Sequence, residues 1–88
     1  MYRLRISNKL VEKFHKMEKK NKKQLETINK KVLEIRENPH KFKSLSNIMK
    51  GFRRVHIDKS FVLIYSVDEQ AKTVILEDYD HHDRIYRE

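Results

Sequence analysis

Arg53-Arg54-Val55-His56-Ile57-Asp58-Lys59-Ser60-Phe61-Val62-Leu63-Ile64-Tyr65 is the stretch on which the fold turns. Its first five residues read as a strand with two unlike faces. If Val55 and Ile57 point to a core, Phe52, Arg54 and His56 point away from it. Arg53 shares the core side with Val55, where its stem can lie along the edge and its charge reach water. Asp58-Lys59-Ser60 reads as a turn. Phe61 to Val67 is then apolar almost throughout, the pattern of a central strand covered on both faces.

Upstream, Tyr2-Arg3-Leu4-Arg5-Ile6 alternates and reads as a first strand. Ser7 or Asn8 can cap a helix, whose apolar stripe is Leu10, Phe14 and Met17. Lys19 to Lys23 is a polar break. Leu25, Ile28, Val32 and Ile35 make a second stripe, stopped by Asn38-Pro39. His40 to Lys50 has no period and reads as a connection to Gly51, the only glycine. Downstream, Asp68 to Lys72 turns, Thr73 to Tyr79 is β-branched and apolar before becoming acidic, and Asp80 to Glu88 is a charged, histidine-rich tail. The order is β-α-α-β-β-β: an α+β fold with a helical hairpin packed on a small antiparallel sheet.

Eighty-eight residues make a single domain, 1–88. There is no cysteine, which fits a reducing cytoplasm. No stretch approaches the ~20 apolar residues that span a bilayer, and Met1 to Ser7 has no apolar core of a signal peptide. The net charge is +8. A compact body with that excess attracts polyanions, of which nucleic acid ranks first, an anionic membrane or acidic protein next. Nine lysines between Lys9 and Lys31 can equally be the wet side of two helices. A membrane-surface role ranks lowest, since there is no Trp and little apolar bulk.

The quoted stretch resembles the central hairpin of the RelE/ParE superfamily. It is especially similar to the YafQ-type branch, where a histidine precedes a turn and an aromatic-aliphatic-Leu-Ile-Tyr strand. His81-His82-Asp83-Arg84-Ile85-Tyr86 resembles the family's C-terminal signature, a basic or histidine position four residues before an aromatic. The order of elements matches too, so the resemblance covers the whole chain. It implies a RelE-like microbial RNase fold and a toxin of a type II toxin–antitoxin system. Such a toxin cleaves mRNA in the ribosomal A site without metal, the RNA's own 2′-OH being the nucleophile. Its partners are then the ribosome, mRNA and an acidic RelB-like antitoxin. By position, His56 corresponds to the hairpin histidine, His82 to the C-terminal histidine and Tyr86 to the terminal aromatic. The RelE branch has two basic residues spaced i, i+2 in that hairpin, and Arg54 and His56 have this spacing. In two places the chain departs from the pattern: Val62 stands where many members have an arginine, and Ser60 where the YafQ-type turn has an acidic residue.

These residue types suit the reaction. A base must take the 2′-OH proton, cations must meet the charge building on phosphate, and an acid must protonate the leaving 5′-oxygen. Histidine trades protons near neutrality, and arginine clamps phosphate with paired donors. The candidate catalytic set is therefore Arg54, His56, His82, Arg84 and Tyr86, with the acid and base roles of the two histidines left open. Lys50, Arg53, His81 and Arg87 are candidate RNA contacts. His15 and His40 read as ordinary surface histidines. No metal or other cofactor is expected, because adjacent strand residues such as His81 and His82 point opposite ways and no cysteine assists. Two other readings share the fold: a ParE-like inhibitor of DNA gyrase, and a catalytically idle ribosome- or RNA-binding module.

Overall fold

The structure, a computed structural model, describes residues 1–46 and 49–85. The chain forms β1 (Arg3–Ile6), α1 (Asn8–Lys20), α2 (Lys22–Glu37), β2 (Lys43–Ser44), β3 (Arg53–Ile57), β4 (Phe61–Asp68), β5 (Thr73–His81) and α3 (His82–Ile85). The strands make one sheet in the order β1-β5-β4-β3-β2, with the helices packed on it. β4 is the middle strand, as its unbroken apolar run requires; Val62, Leu63, Ile64 and Tyr65 are all buried.

The sheet is mixed rather than wholly antiparallel. β1 lies parallel to β5, with Leu4 opposite Val74 and Ile6 opposite Leu76. Alternation specifies which face a residue takes but not the direction of its strand, so the pattern cannot express this pairing. The connection from His40 to Lys50 also contains a strand: β2 pairs Lys43 with Arg54 and Ser44 with Arg53. A two-residue strand is too short for any period to register. Gly51 follows, at φ +96°. This left-handed region is where glycine is cheapest, and nothing crowds its missing Cβ.

The helix boundaries follow from caps. The Ser7 side chain accepts from the Leu10 amide at 3.3 Å. Asn21 closes one helix and opens the next: its amide donates to Met17 O at 2.9 Å and its side chain accepts from the Gln24 amide at 3.2 Å. The polar break expected over Lys19 to Lys23 thus shrinks to one residue. The core joins Leu10, Ile28, Val32 and Ile35 of the helices to Val55, Ile57, Leu63, Tyr65, Val74, Leu76 and Tyr79 of the sheet. Tyr65 is fully buried and its hydroxyl donates to Pro39 O at 2.7 Å. Burial pushes its pKa up to about 12.

A bulge decides which way β5 faces. Tyr65 pairs with Leu76 but Ile64 pairs with Asp78, so Glu77 is an extra residue without a partner. Strict alternation after Val74 and Leu76 would have turned Asp78 into the core. The bulge turns in Tyr79 instead and leaves Asp78 and Asp80 on the face away from the helices. Glu77 is held by the Ser66 hydroxyl at 2.7 Å, and its carbonyl accepts from Ser7 Oγ at 3.1 Å.

Two stability tests follow. Ser7→Ala removes both the cap of α1 and the bond to the bulge. It should destabilise by about 1–2 kcal/mol in denaturant titration, near the upper end for a lost cap. Glu69 accepts from Lys72 Nζ at 2.9 Å, Tyr2 Oη at 2.8 Å and His40 Nε2 at 2.7 Å. These bonds, that of Lys72 largest, hold its carboxyl down at about 2. A depressed carboxylate stabilises the fold above its ordinary pKa of 4.5, and that stabilisation is lost as pH falls toward 2. Thermal melts should show Glu69→Gln less stable than the parent at pH 6–7, with the gap closing between about pH 4.5 and 2.

Candidate active site on the open sheet face

Register across the central strands sets the site. On the face away from the helices, Arg54 lies beside Ile64 and then Asp78, and His56 beside Val62 and then Asp80. Val55 and Ile57, the alternate residues of β3, are buried beneath the helices. The face is therefore cationic on β3, apolar on β4 and acidic on β5. Val62 and Ile64 form its buried floor.

Arg54 Nη1 and His56 Nε2 share a short hydrogen bond. Arginine has donors only, so Nε2 must accept, and the ring proton sits on Nδ1. Beside Arg54 a shallow groove is lined by Lys43, Ser44, Leu45 and Ser46. Two cations and two hydroxyls along one groove suit a phosphate. Lys50 is exposed nearby in the chain. Arg53 is engaged within the fold: its Nη1 donates to Phe42 O at 2.7 Å and His40 O at 3.4 Å.

The C-terminal residues take a different course. Arg84 reaches the open face, with Nη1 3.5 Å from Asp80 Oδ1. His81 does not. It pairs with Phe61, whose side chain is on the helix side, and its ring stands edge-on to Phe61 with centroids 5.6 Å apart. Phe61 in turn stacks on Tyr79 at 5.4 Å. β5 ends at His81, so His82 is the first residue of a helical turn, anchored by its amide to Ser60 O at 2.8 Å. The rule that neighbours on a strand point apart therefore fails here, and the two imidazoles stack at 4.8 Å.

The described candidate residues thus fall into two adjoining patches. Arg54 and His56 form one, approached by Arg84 through Asp80. His81, His82 and Asp83 form the other, around the Phe61 end of β4 and β5. A groove lined by Phe61, Asp80, His81, Asp83 and Arg84 runs along the second patch. Tyr86 and Arg87 lie outside the described residues.

Some contributors carry no signal in the sequence pattern. Lys9 Nζ is 3.1 Å from Asp78, and Lys13 Nζ is 3.4 Å from both Asp78 and Asp80. Lys13 also donates to Tyr79 O at 2.7 Å. Burial alone would raise the Asp78 carboxyl, but Lys9, the Tyr79 amide and the Lys13 charge outweigh it, and the net shift is downward. In sequence these lysines are indistinguishable from a solvated helix face. Phe61 reads there as core, yet it also borders the histidine patch.

Comparison with known proteins adds the following. Residues 4–86 match the family described as ParE toxin of type II toxin-antitoxin system, parDE. A Methanocaldococcus jannaschii protein named "Putative toxin RelE4" is 51% identical over 87 residues, covering 99% of this chain and 93% of that protein. The fold is shared with the intact E. coli RelBE toxin–antitoxin complex (TM-score 0.78, 18% identity, 92% of this chain and 96% of that one). It is also similar to a metal-bound toxin from Helicobacter pylori (TM-score 0.77, 27% identity, 98% of this chain and 100% of that one).

If the Lys43–Arg54 groove holds phosphates, its cations set part of the salt dependence of polyanion binding. Each phosphate of a single strand that goes unneutralised makes the slope of log K against log salt shallower by about 0.7. Anisotropy with a labelled single-stranded oligonucleotide should show a slope shallower by about 1.4 for the Lys43→Ala/Arg54→Ala double variant. An unchanged slope places the phosphates elsewhere.

Proposed function

We propose a function from one premise: the chain belongs to the ParE toxin family of type II toxin–antitoxin systems, within the RelE/ParE superfamily. On this reading it is a ribosome-dependent endoribonuclease that cuts mRNA in the A site, in the cytoplasm, and is silenced by an acidic antitoxin. The observation that carries the reading is the Arg54–His56 pair, hydrogen-bonded on the sheet face opposite α1 and α2.

The pair is arranged for phosphoryl transfer. An incoming phosphate competes for the Arg54 guanidinium, which binds it through two parallel donors. That frees the Nε2 lone pair of His56 to take the proton of the 2′-OH. The 2′-oxygen attacks phosphorus, closing a 2′,3′-cyclic phosphate, and the 5′-oxygen leaves with a proton from an acid. His82 is the candidate for that acid. Arg84 joins Arg54 as a charge stabiliser on release from Asp80. Val62, where many members of the superfamily have an arginine, is fully buried between His56 and Asp80, so these two arginines bear the clamping role. Tyr86 is proposed to stack a splayed base, with Lys50, His81 and Arg87 contacting RNA around it.

The partner follows from charge. An excess of +8 favours an acidic chain whose association weakens as salt rises. A second reading, inhibition of DNA gyrase, is favoured by one observation: the matching family is described by the ParE toxin. Growth arrest with DNA damage and no mRNA cuts would establish it instead.

Primer extension on translated mRNA should map cuts, and these should persist in EDTA with polyamine present to keep ribosomes intact. His56→Ala and His82→Ala should each lower the cleavage rate by ~10²–10⁴, and Arg54→Ala by ~10²–10³. All three are at least partly solvent-exposed, so circular dichroism and antitoxin binding should match the parent. His15→Ala, on the exposed face of α1, should cut normally. Cuts that survive all three substitutions unchanged would reject this site.

A further inference from the structure

We propose that His81, His82 and Asp83 form a binding site for a divalent ion of the zinc and copper class. Each offers one ligand atom, and these atoms all lie within 4.8 Å of one another. The carboxylate stands between the two imidazoles: Asp83 Oδ1 is 3.0 Å from His82 Nδ1, and Oδ2 is 3.6 Å from His81 Nδ1. Ligands around a tetrahedral ion with bonds of about 2.0–2.1 Å stand roughly 3.3 Å apart. The cluster therefore needs to contract by up to about 1.5 Å. Its side chains are partly exposed, Asp83 at 70%, so they can rotate to do so.

The surroundings hold the donors in place. Phe61 backs the His81 ring edge-on, and the His82 amide is fixed to Ser60. The Asp83 amide donates to His81 Nδ1 at 3.2 Å. That contact uses the lone pair of His81 Nδ1, and a metal ion can replace so long a hydrogen bond once the exposed ring turns. Two imidazoles and one carboxylate select zinc, copper or nickel over magnesium or calcium, which take all-oxygen shells. Three protein ligands leave a coordination position open to water. Arg84, next to the cluster in the chain, is matched by Asp80.

One consequence rests on the nuclease reading. An ion here withdraws His82 and His81 from RNA, so it inhibits cleavage and a chelator restores it. The site itself is tested without activity. Untagged protein is titrated calorimetrically with ZnCl₂, and with MgCl₂ as the control. One zinc per chain and no magnesium are expected. The His81→Ala/His82→Ala double variant should lose binding, and Asp83→Asn should weaken it at least about tenfold. His15→Ala and His40→Ala should match the parent. Asp83 is so exposed that its substitution leaves the fold intact, which keeps the test valid if the double variant misfolds. Equal zinc affinity in Asp83→Asn, or no zinc uptake by the parent, overturns the site. A chain that binds zinc through these residues but cuts no mRNA rejects the nuclease and leaves the site standing. An active nuclease that takes up no zinc does the reverse.

Discussion

The bulge at Glu77 is the constraint on which the rest of the molecule depends. One unpaired residue reverses the facing of everything after it on β5. Tyr79 then closes the core under α1 and α2, taking a hydrogen bond from Gln24 at 2.6 Å. Asp78 and Asp80 turn outward to Lys9, Lys13 and Arg84. His81 falls beside Phe61, which brings the C-terminal histidines to the end of the sheet rather than across from His56. Without the extra residue, two carboxylates would enter an apolar core, at a cost of several kcal/mol per ion. The bulge is also the junction between sheet and helices. Ser7 caps α1 with the same hydroxyl that donates to the Glu77 carbonyl, and its amide donates to Leu76 O at 2.9 Å.

The parts of this arrangement that are legible in the sequence are those governed by period. Leu10, Ile28, Val32 and Ile35 announce two helices, and Phe61 to Val67 a covered strand. The alternation around Val55 and Ile57 places Arg54 and His56 together on the other face. What period cannot express is lost. The direction of β1 is one example, since Leu4 and Ile6 face the core equally well in either direction. The two residues of β2 are another. The bulge is a third, foreshadowed only by acidic residues where an apolar one is due. The end of β5 matters most for the site. In sequence His81 and His82 read as strand neighbours pointing apart, but the backbone turns helical between them and stacks their rings.

Charge shows the same limit. Summed over the chain, +8 says only that a polyanion is welcome. Distributed over the structure, two of the five α1 lysines, Lys9 and Lys13, are committed at short range. Lys9 and Lys13 neutralise carboxylates that would otherwise repel a phosphate chain laid on the open face. Arg53 is tied to backbone carbonyls of the loop after α2. Arg54 and Lys43 flank one groove, a local concentration of charge that the composition, dominated by the lysine-rich helices, does not reveal.

The position of Val62 connects fold to chemistry. It lies on the middle strand, between His56 and Asp80, and is fully buried on the face opposite α1 and α2. Arg54 and His56 lie along one side of it, and Asp78 and Asp80 along the other. A long cationic side chain there would stand between the two flanks of the site. With valine there, cations can act only from the margins, Arg54 from β3 and Arg84 from the turn after β5. The phosphate of a bound strand would then sit over an apolar floor, where a guanidinium interacts with it more strongly than in open water. On the nuclease reading, a buried valine at this point shifts the clamping role outward to two arginines, and both are held in the fold, Arg54 by His56 and Arg84 by Asp80.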